Sequence, residues 1–148
     1  MIGASHTIRI ARPSTDLAAA ERFYCEGLGL DVLFRGVGDP EAGTHDLLMV
    51  GPRDARWHLE LTVGTRETVL PSPTPEDLLV IYLDAPVSRA MVDRAVAHGG
   101  TVVAAHNPYW DHGGVTIADP DGYRVVLTER CWGLNKPLSD RTRSGDDT

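Results

Sequence analysis

Apolar and polar positions alternate along "TIRIARP", with Ile8 and Ile10 on one face and Thr7, Arg9 and Ala11 on the other. That is the period-two pattern of a half-buried strand. Pro13 closes the stretch, and Ser14 or Thr15 stands where a helix N-cap belongs. Leu17, Ala20, Tyr24 and Leu28 then follow at helical spacing, with Gly27 and Gly29 as the stop. Three strand-like stretches come next, Asp31 to Arg35, Asp46 to Val50 and Trp57 to Val63, separated by the turn-rich "GVGDPEAG" and "GPRDA".

The same order then repeats. After the proline-rich "LPSPTPED", "LLVIYL" reads as a strand and Pro86 as a residue of a first helical turn. Val87, Met91 and Ala95 form a helical stripe that stops at Gly99 and Gly100. Strands follow at Thr101 to Ala104, Val115 to Ala118 and Tyr123 to Thr128. Each half is thus strand, helix and three strands, a repeat of pattern and not of residue identity. The expectation is one α+β domain over residues 1–136, with module one at about 5–66, a connection at about 68–77 and module two at about 78–130. The polar tail 137–148 is expected to be loose.

Composition narrows the function classes. Fourteen Lys and Arg stand against 21 Asp and Glu, a net charge of -7, with no basic cluster, so nucleic acid is not the expected partner. An acidic surface suits a cationic small molecule but more often serves solubility. The longest apolar run, "LLVIYL", is too short to span a bilayer, and "MIGASHTIRI" lacks the basic-then-apolar order of a signal peptide. Cys25 and Cys131 belong to no CxxC pattern. The expectation is a reduced cytoplasmic protein with no membrane partner.

The segments "STDLAAAERFYCEGLGLDVL", "HLELT", "NPYW" and "GVTIADPDGYRVVL" resemble the vicinal oxygen chelate superfamily, which includes glyoxalase I, bleomycin-resistance proteins and extradiol dioxygenases. The resemblance spans most of the chain from Thr7 to Glu129. It implies two tandem βαβββ modules whose curved mixed sheets form a partly open, barrel-like cleft, and pairing into homodimers. It also implies four metal-ligand positions, which fall on Arg9, Glu60, Leu78 and Val126. Leu and Val have no lone pairs to offer, and Arg is a permanent cation. Only Glu60 suits a metal, so neither a metal nor another cofactor is expected.

Strand alternation places His58, Glu60 and Thr62 on one face and Trp57, Leu59 and Leu61 on the other. If the apolar face meets a helix, the polar face lines a cavity. The same logic adds Arg9 and Ala11, then Leu78, Val80 and Tyr82, then Arg124, Val126 and Thr128. Arg9 is expected to occupy the vacated metal space and pair with Glu60. Glu60 is then either an ion-pair member or a general base, and His58 either a lining group or a catalytic one. Asn107, Tyr109 and Trp110 border the cleft in proteins of this kind, where the two aromatic rings either cover a ligand or plug a core edge. Catalytic candidates are therefore His58 and Glu60. Ligand-binding candidates are Arg9, His58, Glu60, Thr62, Tyr82, Asn107, Tyr109, Trp110 and Arg124. Metal binding by His106, Asp111 and His112 in "HNPYWDH" is read as chance. Three functions stay open: a metal-free small-molecule binder, a metal-dependent lyase, isomerase or dioxygenase, and a metal-independent acid–base enzyme.

Overall fold

The structure, a computed structural model, describes residues 1–132; the tail at 137–148 lies outside them. Module one runs β1 (Ile8–Pro13), α1 (Leu17–Glu21), a π-helical continuation (Arg22–Gly27), β2 (Asp31–Gly36), β3 (His45–Gly51) and β4 (Trp57–Gly64). Module two runs β5 (Leu78–Tyr82), α2 (Arg89–Ala97), β6 (Thr101–Val103), a 3₁₀ turn (Pro108–Asp111), β7 (Gly114–Ala118) and β8 (Arg124–Thr128). Each module forms its own four-stranded sheet, in the orders β1-β4-β3-β2 and β5-β8-β7-β6. In each, the first strand pairs in parallel with the last and the remaining pairs are antiparallel. The sheets stay open, and β1 and β5 are both edge strands. No helix among the described residues is long and apolar enough to cross a membrane.

One core serves both modules. Leu48, Val50, Leu59 and Leu61 from the first sheet share it with Ile117, Val125 and Leu127 from the second, joined by Ala20, Phe23, Tyr24 and Ala95 of the helices. Three helix details differ from the sequence expectation. The cap of α1 is Asp16, whose carboxylate accepts from the Ala19 amide, because the Thr15 amide and hydroxyl are committed to Asp121. The cap of α2 is Ser88, which leaves Pro86 outside the helix. Finally, the first helix is not α throughout: the Leu28 amide reaches back five residues to the Phe23 carbonyl. This wider winding lets the adjacent Phe23 and Tyr24 both be fully buried, as an edge-to-face pair 4.9 Å apart.

A polar seam ties the modules together. Tyr24 donates its hydroxyl to Asp119 at 2.6 Å, and Asp119 also accepts from the Asp121 and Tyr123 amides of the DPDG turn. Arg12 lies over the Tyr123 ring, 4.6 Å from its centroid. Gly27 permits close packing of the helices, since a Cβ there would sit 3.3 Å from the Ala95 Cα. Ile8 and Ile10, expected to be half-buried, are instead 57% and 37% exposed. They stand on an edge strand, in a groove of about 740 Å³ that also runs along Leu79, Ile81 and Trp132.

Candidate functional site

The face of the first sheet turned from the helices is laid out in rows by the strand register. Arg9 pairs with His58; Ala11 with Glu60, Glu60 with Met49 and Met49 with Phe34; Pro13 with Thr62, Thr62 with Leu47 and Leu47 with Gly36. Directly opposed residues point to the same side of a sheet, so the rows bring a charged end and an apolar shelf together. Leu59 and Leu61 are buried on the other face, as the alternation predicts.

Arg9 is the centre of the charged end. Its Nη1 lies 2.9 Å from Glu60 Oε2, its Nε donates to His58 Nε2 at 3.0 Å, and its Nη2 lies 3.7 Å from Met49 Sδ. The Arg9 side chain is 50% exposed and that of Glu60 15%. The expected ion pair therefore exists, and it includes His58. Because a guanidinium has only donors, His58 must accept at Nε2 and carry its proton on Nδ1. Thr62 lies further along the same face, beside a pocket of about 200 Å³ bounded also by His45 and Val69.

The equivalent face of the second sheet is arranged differently. Val126 is fully buried, and Thr116 and Thr128 are 1% exposed, although none of the three belongs to the common core. The segment that returns from β6 to β7 ends against β8, where the Thr128 hydroxyl donates to the Gly113 carbonyl at 3.3 Å. Its 3₁₀ turn sits so low over the sheet that a Cβ on Gly114 would lie 2.4 Å from the Trp110 carbonyl oxygen. Trp110 stacks edge-on to Tyr82, and Trp132 packs on the same tyrosine at 5.9 Å. Burial raises the Tyr82 pKa, with Tyr109 adding to the shift and Arg130 opposing it. Asn107 caps the 3₁₀ turn, accepting from the Tyr109 amide, so its side chain holds the loop. Tyr109 carries Arg130 over its ring at 4.1 Å, and Arg124 reaches the Ala104 carbonyl at 3.4 Å. Of the aromatic pair, Trp110 is partly buried with its ring edge-on to Tyr82, while Tyr109 stays 36% exposed.

The sequence-predicted residues thus fall into two groups. Arg9, His58 and Glu60 form one contact cluster with Thr62 beside it, whereas Tyr82, Asn107, Tyr109, Trp110 and Arg124 belong to the second module. No strand of one sheet pairs with a strand of the other. The apolar shelf of Met49, Leu47 and Phe34 escaped the sequence reading. Their position opposite Glu60 and Thr62 appears only once the β2–β3–β4 register is known, and a bulge between Val32 and Phe34 shifts that register.

The donor set does not fit a metal ion. Arg9 holds a cation against Glu60, and the fully buried isopropyl group of Val126 offers no lone pair. Leu78, at the remaining family position, likewise has none. Among the described residues no three His, Cys, Asp or Glu side chains gather closely enough to hold an ion, His106, Asp111 and His112 included. His106 instead stands 3.6 Å from Glu76.

Comparison with known proteins agrees with the fold. The families described as YycE-like N-terminal domain and YycE-like C-terminal domain match residues 8–62 and 76–129. The uncharacterized protein YycE of Bacillus subtilis (strain 168) is 41% identical over 122 residues, which cover 81% of this chain and 85% of that protein. The crystal structure of a Bacillus subtilis YycE protein of unknown function, named in connection with glyoxalase and fosfomycin resistance proteins, superposes with a TM-score of 0.76 at 37% identity, over 89% of this chain and 95% of that one. TnmS3, an antibiotic binding protein from Streptomyces sp. CB03234, has a TM-score of 0.58 at 26% identity, over 86% of this chain and 98% of its own. The trypanothione-dependent glyoxalase I of Leishmania major has a TM-score of 0.65 at 20% identity, over 94% and 93%, and shares the fold. The chain therefore belongs to the YycE-like family, on the glyoxalase/bleomycin-resistance fold of the vicinal oxygen chelate superfamily.

Proposed function

We propose that this protein binds a small molecule without the superfamily's metal, as a homodimer in the cytoplasm. The observation that carries the reading is the 2.9 Å contact between Arg9 and Glu60. The one position with a suitable ligand is already neutralised by an arginine, and a divalent ion would have to displace that cation before meeting a single carboxylate. The Arg9–His58–Glu60 face with its Met49 and Phe34 shelf supplies a floor for a ligand. Support for the dimer is the apolar groove along the two unpaired edges β1 and β5, where Ile8 and Ile10 stand exposed. TnmS3, which binds an antibiotic by its description, has the same fold and supports binding as a role for it.

An acid–base enzyme is the less favoured reading. The Nε2 lone pair of His58 is engaged by Arg9, and Glu60 is engaged as a counter-ion. A base must first be released from such partners.

The test is elemental analysis of the purified full chain after exposure to Zn, Ni, Mn and Fe salts and desalting, together with calorimetric titration of flat aromatic probes. Metal far below one ion per chain, with probe binding unchanged by chelator, is the expected result. One tightly held ion per chain, or binding abolished by chelator, overturns the proposal.

A further inference from the structure

The charged end of the site has a property that ion pairing alone does not require. A guanidinium carries five N–H donors. On Arg9 one is directed to His58, one to Glu60 and one weakly to the Met49 sulfur, which leaves one on each terminal nitrogen of a half-exposed side chain. These partners hold the guanidinium in place from two neighbouring strands, so its remaining donors are oriented before any ligand arrives. The His58 Nδ1–H adds a donor from the adjacent side chain. Beside this group lies the apolar shelf: Met49 opposes Glu60 across the sheet, and Phe34 opposes Met49 and is 53% exposed. Gly36 keeps the shelf low, since a Cβ there would press on Leu47 at 3.1 Å and on the Phe34 ring at 3.2 Å.

We infer that Arg9 is an oxyanion receptor, and that the ligand is a compact apolar molecule bearing a carboxylate or phenolate. The oxyanion accepts from the terminal nitrogens of Arg9, and the apolar body lies on Met49 and Phe34. This inference rests on the metal-free binding proposed above and narrows it to a ligand class. It also opposes what net charge suggests: the chain is acidic at -7, yet the donors in its site select an acceptor. Local geometry outweighs net charge here because bulk charge is screened within about 8–10 Å while the donors act at contact. Glu60 cancels the arginine charge but not its unused N–H groups, so it tempers affinity for an anion.

That last point supplies a test with a sign. Calorimetric titration of the metal-free, full-length protein with 1-naphthoate, 1-naphthylmethylamine and 1-naphthamide compares anion, cation and neutral acceptor on one apolar body. Naphthoate is expected to bind saturably and tightest, and Arg9→Met to weaken it by about tenfold or more. Met49→Ala is expected to weaken all three probes alike. Glu60→Gln is expected to strengthen naphthoate binding by about threefold or more, because the competing carboxylate charge is gone; a purely structural ion pair has no reason to improve binding when broken. Circular dichroism on each variant establishes that it is folded, and Glu60→Gln keeps the test decisive where Arg9→Met is not. Tighter binding of the ammonium probe, equal binding of amide and carboxylate, or weakened naphthoate binding in Glu60→Gln overturns the inference while leaving metal-free binding intact. Binding of every probe only when metal is added overturns the metal-free reading itself.

Discussion

Replacing Tyr24 with phenylalanine removes one oxygen atom from a fully buried side chain and leaves the ring packing in place. The hydroxyl donates to Asp119 at 2.6 Å, the one side-chain bond of a carboxylate that otherwise accepts from two backbone amides. A charge-assisted bond is worth about 1.5–3 kcal/mol when its loss leaves a buried ion less satisfied. Since the two amide bonds survive, a cost of about 2 kcal/mol is expected at pH 7, or a fall of about 6 °C in Tm for a chain of this size. Burial raises the Asp119 pKa above its ordinary value, and the Tyr24 hydroxyl and the backbone amides pull it down. A carboxyl whose pKa is raised on folding favours the folded state most below its unfolded pKa, and that contribution is lost as pH rises through the folded value. Loss of the Tyr24 hydroxyl would raise the folded value further. The deficit therefore belongs mainly to ionised Asp119 and should shrink to about 1 kcal/mol below about pH 4. Urea titrations followed by tryptophan fluorescence at several pH values give the answer, with the Tyr24→Phe/Asp119→Asn pair as the double-mutant control. A deficit below about 0.5 kcal/mol, or one that does not change with pH, would refute the view that this bond pins the two modules together.

The other outcomes concern the site and its surroundings. Val126→Glu, which places a carboxylate where the superfamily resemblance implies a metal ligand, should cost about 4 kcal/mol or more in thermal or urea unfolding and confer no metal binding, since the side chain it replaces is fully buried. Gly114→Ala forces a methyl against the Trp110 carbonyl at 2.4 Å and should lift the 3₁₀ turn from the second sheet, seen as a red shift in tryptophan emission and a loss of about 1–3 kcal/mol. Ile10→Glu places a charge in the groove between the open strand edges and should convert the proposed dimer to monomer in light scattering. In a Cys131→Ser background, Cys25, whose thiol pKa is raised from 9.0 to about 11 chiefly by burial, should react with iodoacetamide at pH 8 about a hundredfold more slowly than a free thiol.

Much of the architecture was legible because each half carries both periods in the same order. Alternation located all eight strands to within a residue or two, and it put Leu59 and Leu61 on the buried face and Glu60 on the other. What it missed depends on neighbours distant in sequence. The Asp16 cap prevails because Asp121, more than a hundred residues on, engages Thr15. The π-helical winding gives no periodic signal within six residues, and it exists because the helix must present Phe23 and Tyr24 to a core shared with Ile117 and Val125. Alternation cannot say that Ile8 and Ile10 lie on an edge strand.

For the site, the sequence went as far as a single strand could carry it. Arg9, His58 and Glu60 were grouped by alternation and by resemblance, and they do converge. The same alternation made Val126 and Thr128 cavity residues by analogy with Glu60, yet the two sheets use the equivalent face in opposite ways. In the first module the polar groups of this face keep access to solvent, the Arg9 side chain being 50% exposed and that of Glu60 15%. In the second, the longer return from β6 to β7 folds back as a 3₁₀ turn whose Trp110 meets Tyr82 edge-on, and Val126 is fully buried. A carboxylate at position 126 would need a counter-charge in a place that is fully buried. The full burial of Val126 and the pairing of Arg9 with Glu60 are thus two parts of one physical arrangement. One sheet uses this face for packing, and the other carries polar chemistry that holds its own cation.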